Sequence, residues 1–106
     1  MRRGDITPAL LADVKNYLNI TWEDEATDDK IRGLIASASI YLDSKGGGKL
    51  DYESDGLPRT LLFEYVRYMR DEALDVFENN YTAMILAMQN ERAVGAYVES
   101  SEQASE

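Results

Sequence analysis

The stretch "LPRTLLFEYVRYMRDEALDVFENNYTAMILAMQNERAV", residues 57–94, decides the fold. Pro58 suits the first turn of a helix, where its missing N–H leaves no bond unmade. After it comes neither Gly nor Pro. Leu62, Tyr65, Val66, Met69, Ala73, Val76 and Phe77 recur at helical spacing and mark one apolar face, while Arg67, Arg70, Asp71 and Glu78 fall mostly elsewhere. Asn79-Asn80 is the weak point of the pattern, because Asn is a poor helix former. Beyond it Tyr81, Met84, Ile85 and Met88 restart an apolar face. The spacing predicts a helix over about 58–78 and another over about 81–93. A single helix of ~35 residues is the alternative, well above the usual length.

Two more helices precede this stretch. Thr7 can cap and Pro8 opens the first, over about 8–18, with Leu10, Leu11, Val14, Tyr17 and Leu18 on one side. Thr27 is the expected cap of the second, over about 27–43, with Asp28 and Asp29 at the positive end of its dipole. Its stripe is Ile31, Leu34, Ile35, Ala38, Tyr41 and Leu42. The small residues Gly33, Ala36, Ser37 and Ser39 lie between, either exposed or admitting a close neighbour. "SKGGGKLDYESDG", residues 44–56, then reads as the body of a long flexible Gly-rich loop, 44–57, with a short extended piece at Lys49–Tyr52 conceivable. Gly95 is expected to end the ordered core of about 7–94, leaving 95–106 as a mobile acidic tail. The whole, 1–106, reads as one all-α domain, a small bundle of four helices.

Composition narrows the function. The 106 residues carry a net charge of −9, from 20 acidic and 11 basic side chains. Such a chain repels DNA and anionic lipid rather than gripping them. No His or Cys is present, which excludes His general bases, thiol nucleophiles and zinc sites built on those residues. No apolar run approaches the ~20 residues of a membrane span.

The chemistry-bearing motifs fail on spacing. Glu23, Asp24, Glu25, Asp28 and Asp29 crowd into seven positions, yet an EF-hand counted from Asp24 needs Gly where Asp29 stands and Glu where Ile35 stands. Glu23, Asp24 and Glu25 are read as solvated, or facing a channel. "GGGK", residues 46–49, lacks the outer glycine, the Ser/Thr and the preceding strand of a phosphate loop. No catalytic group, metal or cofactor is expected, and the chain reads as no enzyme. Trp22, the single Trp, is read first as a plug over the bundle end and second as a partner anchor. Lys45, Lys49, Leu50 and Tyr52 of the loop, and Tyr97 and Val98 of the tail, are the other candidate contacts.

The order of these signals has a likeness. "TPALLADVKNYLNI", an acidic turn, "DDKIRGLIASASIYLDSKGG", a Gly-containing loop and "LPRTLLFEYVRYMRDEALDVFENN" together resemble the head–tail connector, or head-completion, proteins of tailed bacteriophages and prophages. The likeness runs from about Thr7 to Val98 and rests on pattern rather than on one diagnostic motif. It implies a structural protein, about twelve copies closing into a ring beneath the portal. The ring would meet the portal on one side and the next head-completion or tail protein on the other, with DNA passing through unbound. The expected location is the virion, after assembly in the bacterial cytoplasm. The alternative is an acidic helical adaptor or DNA mimic on a basic protein partner.

Overall fold

The computed structural model describes the backbone of residues 1–104 and the side chains of residues 1–95. Four helices follow a 3-10 turn at Arg3–Asp5: α1 (Pro8–Tyr17), α2 (Glu25–Gly46), α3 (Leu57–Arg70) and α4 (Leu74–Ala104). The all-α four-helix architecture is as the periodicity predicts, and no strand forms at 49–52. Four boundaries differ, each for a local physical reason.

The first concerns the break in the 57–94 stretch. It falls at residues 71–73, not at Asn79-Asn80. Glu72 takes a left-handed backbone (φ 57°), its N–H donates to the Met69 carbonyl at 3.1 Å, and the Ala73 N–H reaches back to the Tyr68 carbonyl at 2.8 Å. This is a Schellman cap, the usual helix terminator, built on a residue that seldom carries it. Asn79 and Asn80 sit exposed inside α4, where the Asn80 amide donates to the Tyr68 hydroxyl at 3.2 Å. The break also resets the helical register. Phe77 stays in the core, whereas Val76, expected on the same face, is 41 % exposed.

The second and third concern α2. Its cap is Asp24 rather than Thr27: the Asp24 carboxylate accepts the Thr27 N–H at 3.2 Å and the Thr27 hydroxyl at 2.8 Å. The helix therefore starts earlier, and it persists through Gly46 until Gly47 turns left-handed (φ 81°) and the Gly48 N–H closes on the Asp43 carbonyl at 3.0 Å. The fourth is Gly95. It lies within α4, where a glycine costs about 1 kcal/mol but does not stop a helix already propagating.

α1 forms as read: Thr7 caps it through its hydroxyl, which accepts the Leu10 N–H at 3.1 Å. The core gathers Leu10 and Val14 from α1, Ile31, Ile35 and Leu42 from α2, Leu61, Leu62 and Val66 from α3, and Phe77, Ile85 and Met88 from α4. Each such aliphatic side chain contributes about 1.5–3 kcal/mol by leaving water. The small residues of α2 admit the N-terminal segment. The Arg3 guanidinium lies across Gly33, so close that a Cβ there would stand 2.6 Å from it. Buried Ser39 bonds its own helix, donating to the Ala36 carbonyl at 2.8 Å. α2 and α4 run in the same direction, joined in sequence order from Tyr41–Glu78 to Lys45–Gln89 to Lys49–Arg92. α3 returns between them.

Candidate interaction surface

The acidic turn is a piece of helix-end chemistry. α1 ends in a second Schellman cap, with Asn19 left-handed (φ 61°) and the Ile20 N–H on the Lys15 carbonyl at 2.9 Å. Lys15 then reaches Asp28 at 2.7 Å, tying the end of α1 to the start of α2. Asp24 is held below the usual carboxylate range by its bonds from the Thr27 side chain and backbone. Asp29 pairs with Arg32 at 2.9 Å. Glu23 and Glu25 are exposed. Trp22 does not plug the bundle: it is 51 % exposed and flanks a shallow depression with Ala12, Lys15 and Asn16, its indole N–H 3.5 Å from the Thr27 hydroxyl. Among the described residues no group of three or more His, Cys, Asp or Glu side chains could hold a metal ion. Nor, among them, is any helix long and apolar enough to cross a membrane.

The Gly-rich connection is shorter and better tied than a flexible loop. Tyr52 is 2 % exposed, which corrects its place among the partner contacts: it is a core residue. Its hydroxyl donates to Asp43 at 2.6 Å, and the same carboxylate oxygen accepts the Leu50 N–H at 3.1 Å. Burial and the neighbouring Asp43 carboxylate push the Tyr52 phenol far above its ordinary value. Arg59 fastens the connection from α3, donating to the Tyr52 carbonyl at 3.0 Å and to Asp13 of α1 at 2.6 Å. Asp51 accepts the Glu53 N–H at 2.9 Å, a one-turn lock. Leu50 is half-buried against Gly46. Lys49 and Lys45 are exposed, and their backbone carbonyls accept Arg92 (3.1 Å) and Gln89 (2.9 Å) of α4.

Between α2 and α4 runs a groove of about 250 Å³, lined by Tyr41, Lys45, Glu78, Thr82, Ile85, Leu86 and Gln89. Beneath it Tyr41, Tyr65, Phe77 and Tyr81 stack and edge against one another, with ring centroids 4.6–6.4 Å apart. Two of the tyrosine hydroxyls reach acids: Tyr41 donates to Glu78 of the groove lining at 2.6 Å, and Tyr81 to Glu64 of α3 at 2.7 Å. Burial, then the bond to Glu78, raises the Tyr41 phenol, and the bond to Glu64 lifts Tyr81 to about 12.

The predicted contacts are thus scattered. Trp22 stands at one end of the bundle, Lys45 and Lys49 at the other, and the side chains of Tyr97 and Val98 lie outside the described residues. Two large apolar side chains that the reading of the stripes passed over are exposed: Ile40 of α2, at 64 %, and Leu86 of α4, at 54 %. The signal was available, because both stand off the apolar stripe of their own helix. No family model, no curated protein and no solved structure matches this chain.

Proposed function

We propose that the chain is a structural subunit of the head–tail junction of a tailed bacteriophage or prophage, assembling with copies of itself into a ring between the portal and the tail. What carries the reading is the order of its parts: a Thr-Pro-capped α1, an acidic turn, a 22-residue α2, a Gly-containing connection and a closing α3–α4 pair. That is the order in which the sequence resembles the connector family. Its work is mechanical: to hold neighbours and to line a passage. An acidic surface suits a passage for DNA, since it does not retain the duplex.

The alternative role, an acidic adaptor or DNA mimic, needs rows of free carboxylates at phosphate-like spacing. Here Asp13, Asp28, Asp29 and Glu64 are neutralised by Arg59, Lys15, Arg32 and Arg67 within the chain, and Asp24 is a helix cap. The deciding experiment is native mass spectrometry and negative-stain microscopy of the chain, alone at high concentration and with its portal. Closed rings are expected. Monomers under both conditions, together with binding to a basic protein that DNA competes away, would replace this reading with the adaptor.

A further inference from the structure

We propose that Asp55-Gly56 is a site of backbone modification, at which Asp55 converts to isoaspartate through a cyclic imide while the chain stays folded. The site lies on the surface of the long connection, and the proposal is independent of the ring reading.

The chemistry is intramolecular. The Gly56 amide nitrogen adds to Cγ of Asp55 in its carboxylic acid form, and the amide proton and the carboxyl hydroxyl leave as one water. One water then reopens the imide. Attack at Cγ restores aspartate. Attack at the former backbone carbonyl leaves the chain running through Cβ and Cγ, with the old carbonyl carbon now a free carboxylate. One water leaves and one returns, so mass and charge end unchanged and no oxidant or partner is consumed. The step needs an approachable nitrogen, an uncommitted carboxyl and a backbone free to turn.

The sequence meets the first need at one place. Asp55 is the only Asp or Asn in the chain followed by Gly, whose nitrogen no side chain shields. The space beside it is open: a Cβ on Gly56 would meet nothing nearer than Pro58 Cδ at 3.8 Å.

The structure meets the other two. The Asp55 side chain is fully exposed, and its ion-pair partner, Arg59 Nε, stands 3.9 Å away, beyond hydrogen-bond reach. Among the described residues, neither the Asp55 backbone nor the Gly56 N–H makes a hydrogen bond. Gly56 joins α3 only through its carbonyl, which accepts the Thr60 N–H at 3.1 Å. Both flanks are held: Asp51 accepts the N–H groups of Glu53 (2.9 Å) and Ser54 (3.3 Å), and α3 begins at Leu57. Asp55 is therefore the joint between two fixed pieces. Asp51 is the internal contrast, since its carboxylate is committed to those two amides and the next residue is the buried Tyr52.

The product adds one methylene to the backbone just before α3 and draws the carboxylate back towards the main chain, away from Arg59. Arg59 keeps Asp13 and the Tyr52 carbonyl, so the connection stays tied and the fold survives the change.

The test ages the folded chain at neutral pH beside a urea-unfolded sample. Trypsin then releases Leu50–Arg59, which is resolved by chromatography and electron-transfer fragmentation. The aged folded chain is also offered to a protein isoaspartyl methyltransferase with a radioactive methyl donor. The peptide is expected to split into two peaks of equal mass, with isoaspartate at 55 and not at 51, at comparable rates in both samples, and the folded chain should accept methyl. Asp55→Glu keeps the charge at an exposed position but requires a larger, slower-forming ring. It should lose the second peak and the methyl acceptance with Tm unchanged. A single peak from the folded chain overturns the proposal, whether or not the unfolded sample converts. So does isoaspartate at Asp51, or methyl acceptance that persists in Asp55→Glu.

Discussion

Two connections reverse this chain between long helices, and they are held in opposite ways. Residues 47–56 join α2 to α3, and residues 71–73 join α3 to α4. The long one announces itself with three glycines, yet it is fixed by side chains: Tyr52 on Asp43, Arg59 on the Tyr52 carbonyl and Asp51 on the Glu53 N–H. The short one has no announcing residue and is fixed by backbone alone, through Glu72 on Met69 and Ala73 on Tyr68. A connection held by side chains is robust to backbone preference and fragile to truncation. One held by backbone has the reverse sensitivities.

The largest expected effect follows at Tyr52. Tyr52→Ala removes a fully buried ring from beneath the long connection and should cost about 3–5 kcal/mol, read as a drop in the denaturation midpoint. Tyr52→Phe keeps the ring but leaves Asp43 without its phenol partner, and should cost about 1–3 kcal/mol. If Tyr52→Phe is neutral, the hydroxyl bond is not what ties the connection, and the contrast with 71–73 loses its basis.

Alkali gives a second, smaller way to loosen the same tie. Tyr41, Tyr52, Tyr65 and Tyr81 all have raised phenol values, with Tyr81 at about 12. The folded chain therefore holds protons that the unfolded chain releases near pH 10. Stability from these groups is complete below about pH 10 and is lost as pH climbs through 12. Absorbance at 295 nm and helical circular dichroism, followed together, should show the late phenols ionising as helix is lost. All seven tyrosines ionising near pH 10 with the helices intact would contradict the buried Tyr52–Asp43 pair.

The contrast also explains what the sequence made legible. α1 and its Thr7-Pro8 start were readable because Ser, Thr, Asp and Pro have cheap, specific roles at helix starts. The end of α1 at Asn19 and the end of α2 at Gly47 use residues that tolerate a left-handed backbone, so both were foreseeable within a few residues. Glu72 sends no such signal, and the Asn79-Asn80 pair sends a false one, since weak propensity inside a helix packed through Phe77, Tyr81 and Ile85 is overridden by burial. The tying of the long connection was hidden for another reason. Tyr52 and Asp43 are nine residues apart, and only the fold brings them to 2.6 Å. The candidate surface was half legible: Ile40 and Leu86 stand off their stripes in sequence, but that α2 and α4 run parallel is a tertiary fact.

The smallest predicted effect tests the comparison most directly, at Glu72. A left-handed backbone costs an ordinary residue about 1 kcal/mol or more, and glycine removes that cost while losing about 0.5–1 kcal/mol of unfolded-chain freedom. Glu72→Gly should therefore stabilise the chain slightly, by about 0.5 kcal/mol, or roughly 2–4 °C in Tm. The charge needs its own control, because Glu72 stands at the negative end of α3 and the positive end of α4, where its dipole interactions oppose each other. Glu72→Gln removes the charge and keeps the side chain, and should leave Tm nearly unchanged. The reciprocal exchange completes the argument. Asn19→Glu places at the first cap the residue that the second one carries, and should lower Tm by a similar few degrees. If Glu72→Gly destabilises while Glu72→Gln does too, the side chain of Glu72 does hold the short connection, and the two reversals are built alike.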